Sequence, residues 1–325
     1  MKAEAATPAV TVVIVPRERF SETEHSLESV LERTKCPHQL IYVDGGSPAR
    51  VRRYLENRAV SRGFRLMRED RFLMPNQARN IGWQAASTPY VVFVDNDVVV
   101  SAGWLDALLR CAEETGAWLV SPTICIGTPL AGEVHMAGGR ACIHVQNGRR
   151  TLSEKHRYAG QSLAQIRPSM RREPTELVEF HTVLVRRDVF QRVGSLDERL
   201  MSTREHVDLS LAVQEAGGSI YFEPDSVVTY IPPPPFAWFD YPFFLRRWSE
   251  SWNIASLRHF RAKWRLGHDD PQLADQACWL REHRHIALAP MSRALSGFLG
   301  ERFAATLSQR VVAPIEIALN KALVR

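Results

Sequence analysis

Between residues 10 and 121, short runs of β-branched and aromatic residues alternate with segments whose apolar residues recur every three or four positions. No other feature of the chain restricts its fold as much. A strand that is apolar throughout must be covered on both faces, and the intervening amphipathic helices supply the cover, which is the pattern of a mainly parallel sheet between helix layers. Strands are expected over 11–16, in QLIYV (39–43), FRLM (64–67), YVVFV (90–94) and AWLVS (117–121). Helices are expected near 22–34, 50–61, 76–86 and 102–115; Ser21 and Glu24 have capping-box spacing ahead of a stripe of Leu27, Val30 and Leu31. The chain therefore reads as doubly wound α/β.

From about 122 to 176 the periodicity fades among Gly, Arg and polar residues, which predicts hairpins and a mobile loop. Regular structure is expected again in HTVLV (181–185), in helices near 188–193 and 205–216, and in the strand pieces SIYFE and SVVTY. Pro232 to Pro235 fix successive φ angles and remove backbone donors, so they mark a boundary between a unit over 1–231 and a helical extension over 232–325. The tail of that extension, about 286–325, keeps helical spacing. Charge divides at the same place. Residues 1–230 carry 28 Lys and Arg against 28 Asp and Glu, whereas 231–325 carry 13 against 8, so the net +5 lies in the extension. With Trp248, Trp252, Phe260 and Trp264 interleaved, that excess suits a solvated helix face or lipid headgroups, and no nucleic-acid partner is expected.

Five cysteines (Cys36, Cys111, Cys125, Cys142, Cys278) show no C-x-x-C or Cys/His spacing, which argues against a disulfide framework or a structural zinc site and for a reducing compartment. No apolar run approaches the roughly 18 residues that span a bilayer, and MKAEAATPAV has no apolar signal core. The expectation is a cytoplasmic protein, at most peripheral to the inner face of a membrane.

Asp95, Asn96 and Asp97 directly follow the strand YVVFV. In open α/β sheets ligands bind beyond the carboxyl ends of strands, and two carboxylates there form an oxygen site for Mg²⁺ or Mn²⁺ carrying a diphosphate; a solvated turn is the alternative. Asp44 closes QLIYV before Gly45, Gly46 and Ser47, where a carboxylate can accept the imide N–H of uracil, although a plain glycine turn reads the same way. NQARN (76–80) opens a helix whose free N–H groups, with Arg79, suit phosphate oxygens. The first strand ends in Pro16, Arg17, Glu18 and Arg19 without G-x-G-x-x-G, which removes the main support for a dinucleotide-binding oxidoreductase.

In this order and at these intervals, the features resemble the family 2 glycosyltransferases of the GT-A fold over about residues 10–230. The similarity is carried by the strand ending in Pro16, Asp44 with Gly-Ser following, NQARNIGWQAASTPYVVFVDND, and RRDVFQRVGSLDERL before EHVDLSLAVQEAGG. The resemblance implies a Rossmann-like, mainly parallel GT-A sheet flanked by helices, with the helical C-terminal extension added. It implies that Asp44 contacts the nucleoside base and that Pro16, Arg17, Glu18, Asn76 and Arg79 lie near the donor. Asp95 and Asn96 would approach the ribose, and Asp97, with Asp95, would bind the Mn²⁺ or Mg²⁺ that bridges the diphosphate. The implied reaction is inverting transfer from a nucleoside diphosphate sugar, UDP-linked by preference, to a hydroxyl of a glycan or lipid-linked saccharide, as in building cell-surface polysaccharide.

The base is expected in EHVD, where Glu205 and Asp208 are three apart and share a helical face while His206 points differently. The family usually has Glu-Asp here and this chain has Glu205-His206, so His206 takes the role, with Glu205 and Asp208 as alternatives. Tyr230 stands where many relatives have a late histidine near the metal, and Gly45 replaces the second carboxylate of the usual Asp-Asp-Gly-Ser turn. Phe180, His181 and Thr182 are placed near the acceptor, whereas His135 and His144 lie in a segment too irregular to assign. FAWFDYPFFLRRWSESWN packs a helical layer on the first unit, lines an acceptor channel or lies against a membrane. Two other readings stand beside this one: a non-catalytic nucleotide-sugar or glycan-binding domain, motivated by His206 and Tyr230, and a sugar-phosphate nucleotidyltransferase, which needs a glycine-rich loop where PRERF stands.

Overall fold

The computed structural model describes residues 9–128 and 132–288, with isolated positions between 306 and 318. The helical tail expected over about 286–325 falls almost wholly outside the described residues. The chain begins β1 (Val10–Val15), α1 (Thr23–Arg33), β2 (His38–Gly45), α2 (Ala49–Arg62), β3 (Arg65–Glu69), α3 (Pro75–Ala85), β4 (Tyr90–Asp95). It continues β5 (Val98–Val100), α4 (Trp104–Thr115), β6 (Leu119–Ile126), β7 (Glu133–Ala137), β8 (Gly139–Gln146), β9 (Arg149–His156), α5 (Leu163–Ile166), β10 (Glu173–Pro174). It closes with β11 (Thr182–Arg186), α6 (Val189–Val193), α7 (Glu205–Glu215), β12 (Ile220–Tyr230), α8 (Tyr241–Arg247), α9 (Glu250–Trp264) and α10 (Pro271–His285).

The main sheet runs β10-β12-β6-β11-β4-β1-β2-β3, with β5 on β12 and β7 on β6. It is parallel from β3 to β4 and again between β6 and β12; β11 is inserted antiparallel between β4 and β6. This is the mostly parallel, helix-covered sheet that the alternation demands. Along β1 the side chains divide by parity. Val12 and Ile14 pack with Leu27, Val94 and Trp104, whereas Val13 and Val15 pack with Ala78, Phe93 and Phe180 on the other face. Both faces are dry, so the strand is apolar at nearly every position.

Three local expectations change. Ser21 does not cap α1: the helix starts at Thr23, Glu22 makes no capping bond, and the Ser21 hydroxyl is buried without a partner. The entry to α1 is fixed instead from the extension, where Asp240 Oδ1 accepts the N–H groups of Phe20 (2.8 Å) and Ser21 (3.0 Å). Residues 122–176 are more regular than their composition suggested, because β6 extends to Ile126 and β8 and β9 pair over eight positions as a separate hairpin. SIYFE and SVVTY form one strand, β12, interrupted between Glu223 and Val227. No described helix is long and apolar enough to cross a membrane.

Helix α3 carries Asn76 and Arg79 and is seated on β1 through Gly82. A Cβ at 82 would stand 2.2 Å from Val13 Cγ1, and the strand backbone behind Val13 leaves that methyl little room to yield. Overpacking of this kind costs about 1–3 kcal/mol. Gly82→Ala should therefore lower the urea midpoint by the equivalent of about 2 kcal/mol, and adding Val13→Ala should recover part of the loss. An unchanged midpoint would mean that α3 is not held this close.

Candidate active site

The site is assembled where the parallel strands end. Asp95 is the last residue of β4, and the antiparallel register of β11, Thr182 opposite Val94, brings His181 opposite Asp95. The Asp95 N–H donates to the His181 carbonyl at 3.1 Å. Carboxylate oxygens of Asp95 and Asp97 and a ring nitrogen of His181 lie within 4.8 Å of one another. All three residues are buried.

Their environments differ sharply. Asp95 Oδ1 accepts from Arg79 Nη2 at 2.9 Å and Oδ2 from Arg17 Nη1 at 3.3 Å. Both Asp97 oxygens are buried without a hydrogen-bond donor, and His181 Nδ1 is likewise unpartnered, 3.6 Å from Asp95 Oδ2. Burial first, then the nearby carboxylates of Glu18 and Asp95, pushes the Asp97 carboxyl well above the usual range against the pull of Arg17 and Arg19. Burial, followed by the charge of Arg17, holds His181 well below the ordinary imidazole range, so it offers a neutral nitrogen. An anionic Asp97 thus lacks a counter-charge, and two carboxylates with one imidazole suit a hard divalent cation such as Mn²⁺ or Mg²⁺.

The residues expected near the donor converge here, but mostly as a buried frame. Arg79 is fully buried on Phe180, its guanidinium carbon 3.9 Å from the ring centroid. Asn76 donates to the Asp197 carbonyl at 3.0 Å. Asn96 accepts from the Arg17 N–H at 2.9 Å and donates to the Arg19 carbonyl at 2.7 Å, so it shapes the turn after Pro16. Glu18 is enclosed by Tyr230, Trp248 and His283, whose polar atoms lie 2.6, 3.2 and 2.9 Å from its oxygens. Burial opposes its charge, but His283 and Arg17 outweigh it and keep Glu18 ionised. Asp44 lies one strand away; Oδ1 accepts the Ser47 N–H at 3.0 Å, Oδ2 accepts from the Ser47 hydroxyl, and Arg68 pairs with the same carboxylate. Behind it, Gly46 adopts φ +69° against the backbone of Arg71, a place where a side chain would collide.

Beside the Asp95/Asp97 end opens a cavity of about 510 Å³, lined by Arg17, His181, Tyr230, Glu205, His206 and the extension residues Arg247, Trp248 and His283. The expectation that Glu205 and Asp208 face the same way, with His206 apart, is corrected. Glu205 and His206 both line the cavity, whereas Asp208 is drawn to α9 by Lys263 Nζ (2.7 Å) and Trp264 Nε1 (2.9 Å). Glu205 is paired with buried Arg247 at 3.1 Å. His206 Nε2 lies 3.3 Å from Glu154 and 3.4 Å from Glu179, and burial outweighs the charges of Glu179 and Glu205 to hold it below the ordinary imidazole range. Of the residues placed near an acceptor, His181 reaches the cavity, whereas Phe180 lies under Arg79 and Thr182 bonds its neighbour's carbonyl. Sequence reasoning missed Glu154, Glu179 and His156 and left His135 unassigned; the placing of Phe180, His181 and Thr182 near the acceptor was the signal nearest to Glu179.

Residues 11–193 match the family described as glycosyl transferase family 2, and the chain belongs to that family. It is 30% identical over 156 residues to the pre-mycofactocin glycosyltransferase of Mycobacterium tuberculosis, a match covering 48% of this chain and 30% of that protein. It is also 25% identical over 219 residues to the uncharacterized protein y4gI of Sinorhizobium fredii, covering 65% of this chain and 23% of that one. The chain thus spans less than a third of the length of these relatives. In fold it is similar to GalNAc-T7 solved with UDP, GalNAc and Mn²⁺ (TM-score 0.55, 16% identity, 91% of this chain and 58% of that one). It is similar in fold also to the mannosyltransferase PcManGT of Pyrobaculum calidifontis solved with GDP-Man and Mn²⁺ (TM-score 0.52, 16% identity, 98% and 85%). The sheet is therefore the GT-A fold.

Because the folded Asp97 binds a proton more tightly than the unfolded one, its ionisation opposes folding. In metal-free protein its contribution to stability should be intact below the unfolded aspartate value and decline as pH rises above it. The stability of wild type minus that of Asp97→Asn, measured by urea unfolding in EDTA, should fall as pH increases from about 4. A flat difference would show that Asp97 carries no such strain.

Proposed function

We propose that this member of glycosyl transferase family 2 catalyses inverting transfer of a sugar from a nucleoside diphosphate donor, UDP-linked by preference, to a hydroxyl of a glycan or lipid-linked saccharide. The observation that carries the reading is the Asp97 carboxylate, buried without any donor beside Asp95 and His181. Mn²⁺ or Mg²⁺ held by Asp97, Asp95 and His181 would supply the charge that stabilises the departing diphosphate. His181 in this arrangement fills the place left open by Tyr230, whose ring stacks on it at 4.0 Å between centroids. The complexes of GalNAc-T7 with UDP, GalNAc and Mn²⁺ and of PcManGT with GDP-Man and Mn²⁺ support this reading of donor and metal classes.

The rest of the step belongs to the chain. Arg79 holds Asp95 in a fixed direction, and Arg17, at the cavity wall, is the cation placed to meet phosphate oxygens. The acceptor oxygen forms its bond to the anomeric carbon as the carbon–oxygen bond to the diphosphate breaks, and inversion follows from attack on the opposite face. His206 takes the acceptor's proton at Nε2, where Glu154 and Glu179 stabilise the imidazolium. Trp248 and His283, from the extension, restrict the acceptor side of the cavity. Trp248, Trp252, Phe260 and Trp264, expected at a solvated face or lipid headgroups, are buried, which leaves the exposed Trp238 and Trp279 as the tryptophans of that region that could meet an anionic membrane surface at the cytoplasmic face.

Thermal-shift measurements with UDP-, GDP-, CDP- and dTDP-linked ligands, with and without Mn²⁺, should show metal-dependent stabilisation by one nucleotide class, abolished by Asp97→Ala. His206→Ala should keep that stabilisation and lose about 10²–10⁴-fold in transfer. Stabilisation without transfer to any acceptor or to water would favour the non-catalytic reading, and no response to any ligand would reject both. Because His206 is held below the ordinary imidazole value, the acidic limb of the kcat/KM profile should fall below pH 6.5. A limb at or above that value would remove His206 as the base.

A further inference from the structure

Around His206 the cavity gathers further ligating side chains, of which His156 has no part in the proposed transfer step. His156 ends β9, Glu154 stands two residues before it, Glu179 precedes β11, and His206 opens α7, so three separate chain segments meet. His206 Nε2 lies 3.3 Å from Glu154 Oε1 and 3.4 Å from Glu179 Oε1. His156 Nε2 lies 3.5 and 3.9 Å from the same two oxygens. Each of these side chains is between 9 and 22% exposed, reached only through the cavity.

These distances fit hydrogen bonding poorly. Charge-assisted N–H···O bonds close to about 2.7–2.9 Å, and two ring nitrogens cannot each serve two carboxylate oxygens well. Four ligands at about 2.0–2.1 Å from one tetrahedral ion stand about 3.3–3.4 Å from one another. Glu154, His156 and His206 have ligand atoms within 4.8 Å of one another, and Glu154 stands 3.3 and 3.5 Å from the two rings, within 0.2 Å of that edge; Glu179 stands 3.4 and 3.9 Å from the same rings. Outer contacts of the kind that orient ligands are present as well: Arg204 pairs with the other oxygen of Glu154, and the His156 ring bonds the His135 backbone.

The geometry points to a second divalent-metal site, formed by Glu154, His156 and His206 with Glu179 beside it, and suited by its two imidazoles and one carboxylate to Zn²⁺ rather than to the Mn²⁺ of the Asp97 site. Zn²⁺ there takes the Nε2 lone pair of His206 and so blocks its use as a base. This consequence rests on the proposed function; metal binding itself does not.

Titration of Asp97→Asn protein with Co²⁺ and Zn²⁺, in which the first site is disabled, tests the binding. One equivalent should bind, with the intense visible absorption of tetrahedral Co²⁺, and His156→Ala or Glu154→Gln should weaken it by more than about 100-fold. Each variant is first checked for unchanged thermal unfolding in EDTA, and either one that folds suffices. Wild-type transfer supported by Mn²⁺ should be inhibited by Zn²⁺ in proportion to occupancy, with His156→Ala resistant. Absence of bound Co²⁺ and Zn²⁺, or binding unaffected by both variants, would overturn the site. A protein that binds one equivalent yet transfers no sugar would instead refute the function and leave the site standing.

Discussion

A carboxylate removed from water must find a cation or a set of donors, and the region beyond β1 and β4 is organised around that requirement. Asp95 receives Arg79 and Arg17, and Glu18 receives Arg17 with hydrogen bonds from a phenol and an indole. Glu205 receives Arg247. Asp97 alone among these receives nothing, although Asp95 and Glu18 are close enough to oppose its ionisation. The frame pairs each of these neighbouring carboxylates and leaves one charge, beside the unpartnered His181 Nδ1, for something that arrives from outside.

The same requirement explains why the extension is inseparable from the site in chemical terms. Trp248, His283 and Arg247 all come from beyond Pro235, and all bond to Glu18 or Glu205. Arg19 is tied to the carbonyls of Ile231 and Pro235 at 2.6 Å each, so the turn after β1 and the start of the extension hold one another. Asp240 then sets the entry to α1 by accepting two of its N–H groups. A substitution in the extension therefore acts on the donor end of the sheet without touching a donor.

Much of this architecture was legible in the residues. Strands buried on both faces announce themselves by continuous β-branched runs, and the helices over 23–33, 49–62, 75–85 and 104–115 carry strong apolar spacing. The acidic triplet after YVVFV was visible because it is contiguous. What escaped was set by distance along the chain. Nothing local tells Ser21 that Asp240 has already bonded its N–H, or Asp208 that Lys263 and Trp264 will turn it from the cavity. Glu154 and His156 lie on β9 of the hairpin and His135 on β7, strands of weak periodicity, and the meeting of Glu154 and His156 with His206 depends on how the hairpin folds back on α7. Arg79 read as a helix-start residue suited to phosphate oxygens; the close seat of α3 on β1 buries it instead against Phe180 and Asp95.

Anomalous diffraction from crystals soaked with UDP and Mn²⁺, recorded at the manganese edge, tests the central claim most directly. The account predicts one strong peak within coordination distance of Asp97, about 2.1–2.3 Å from an oxygen, with Asp95 or His181 completing the protein ligands. A peak remote from Asp97, or none in crystals where UDP is bound, would contradict it.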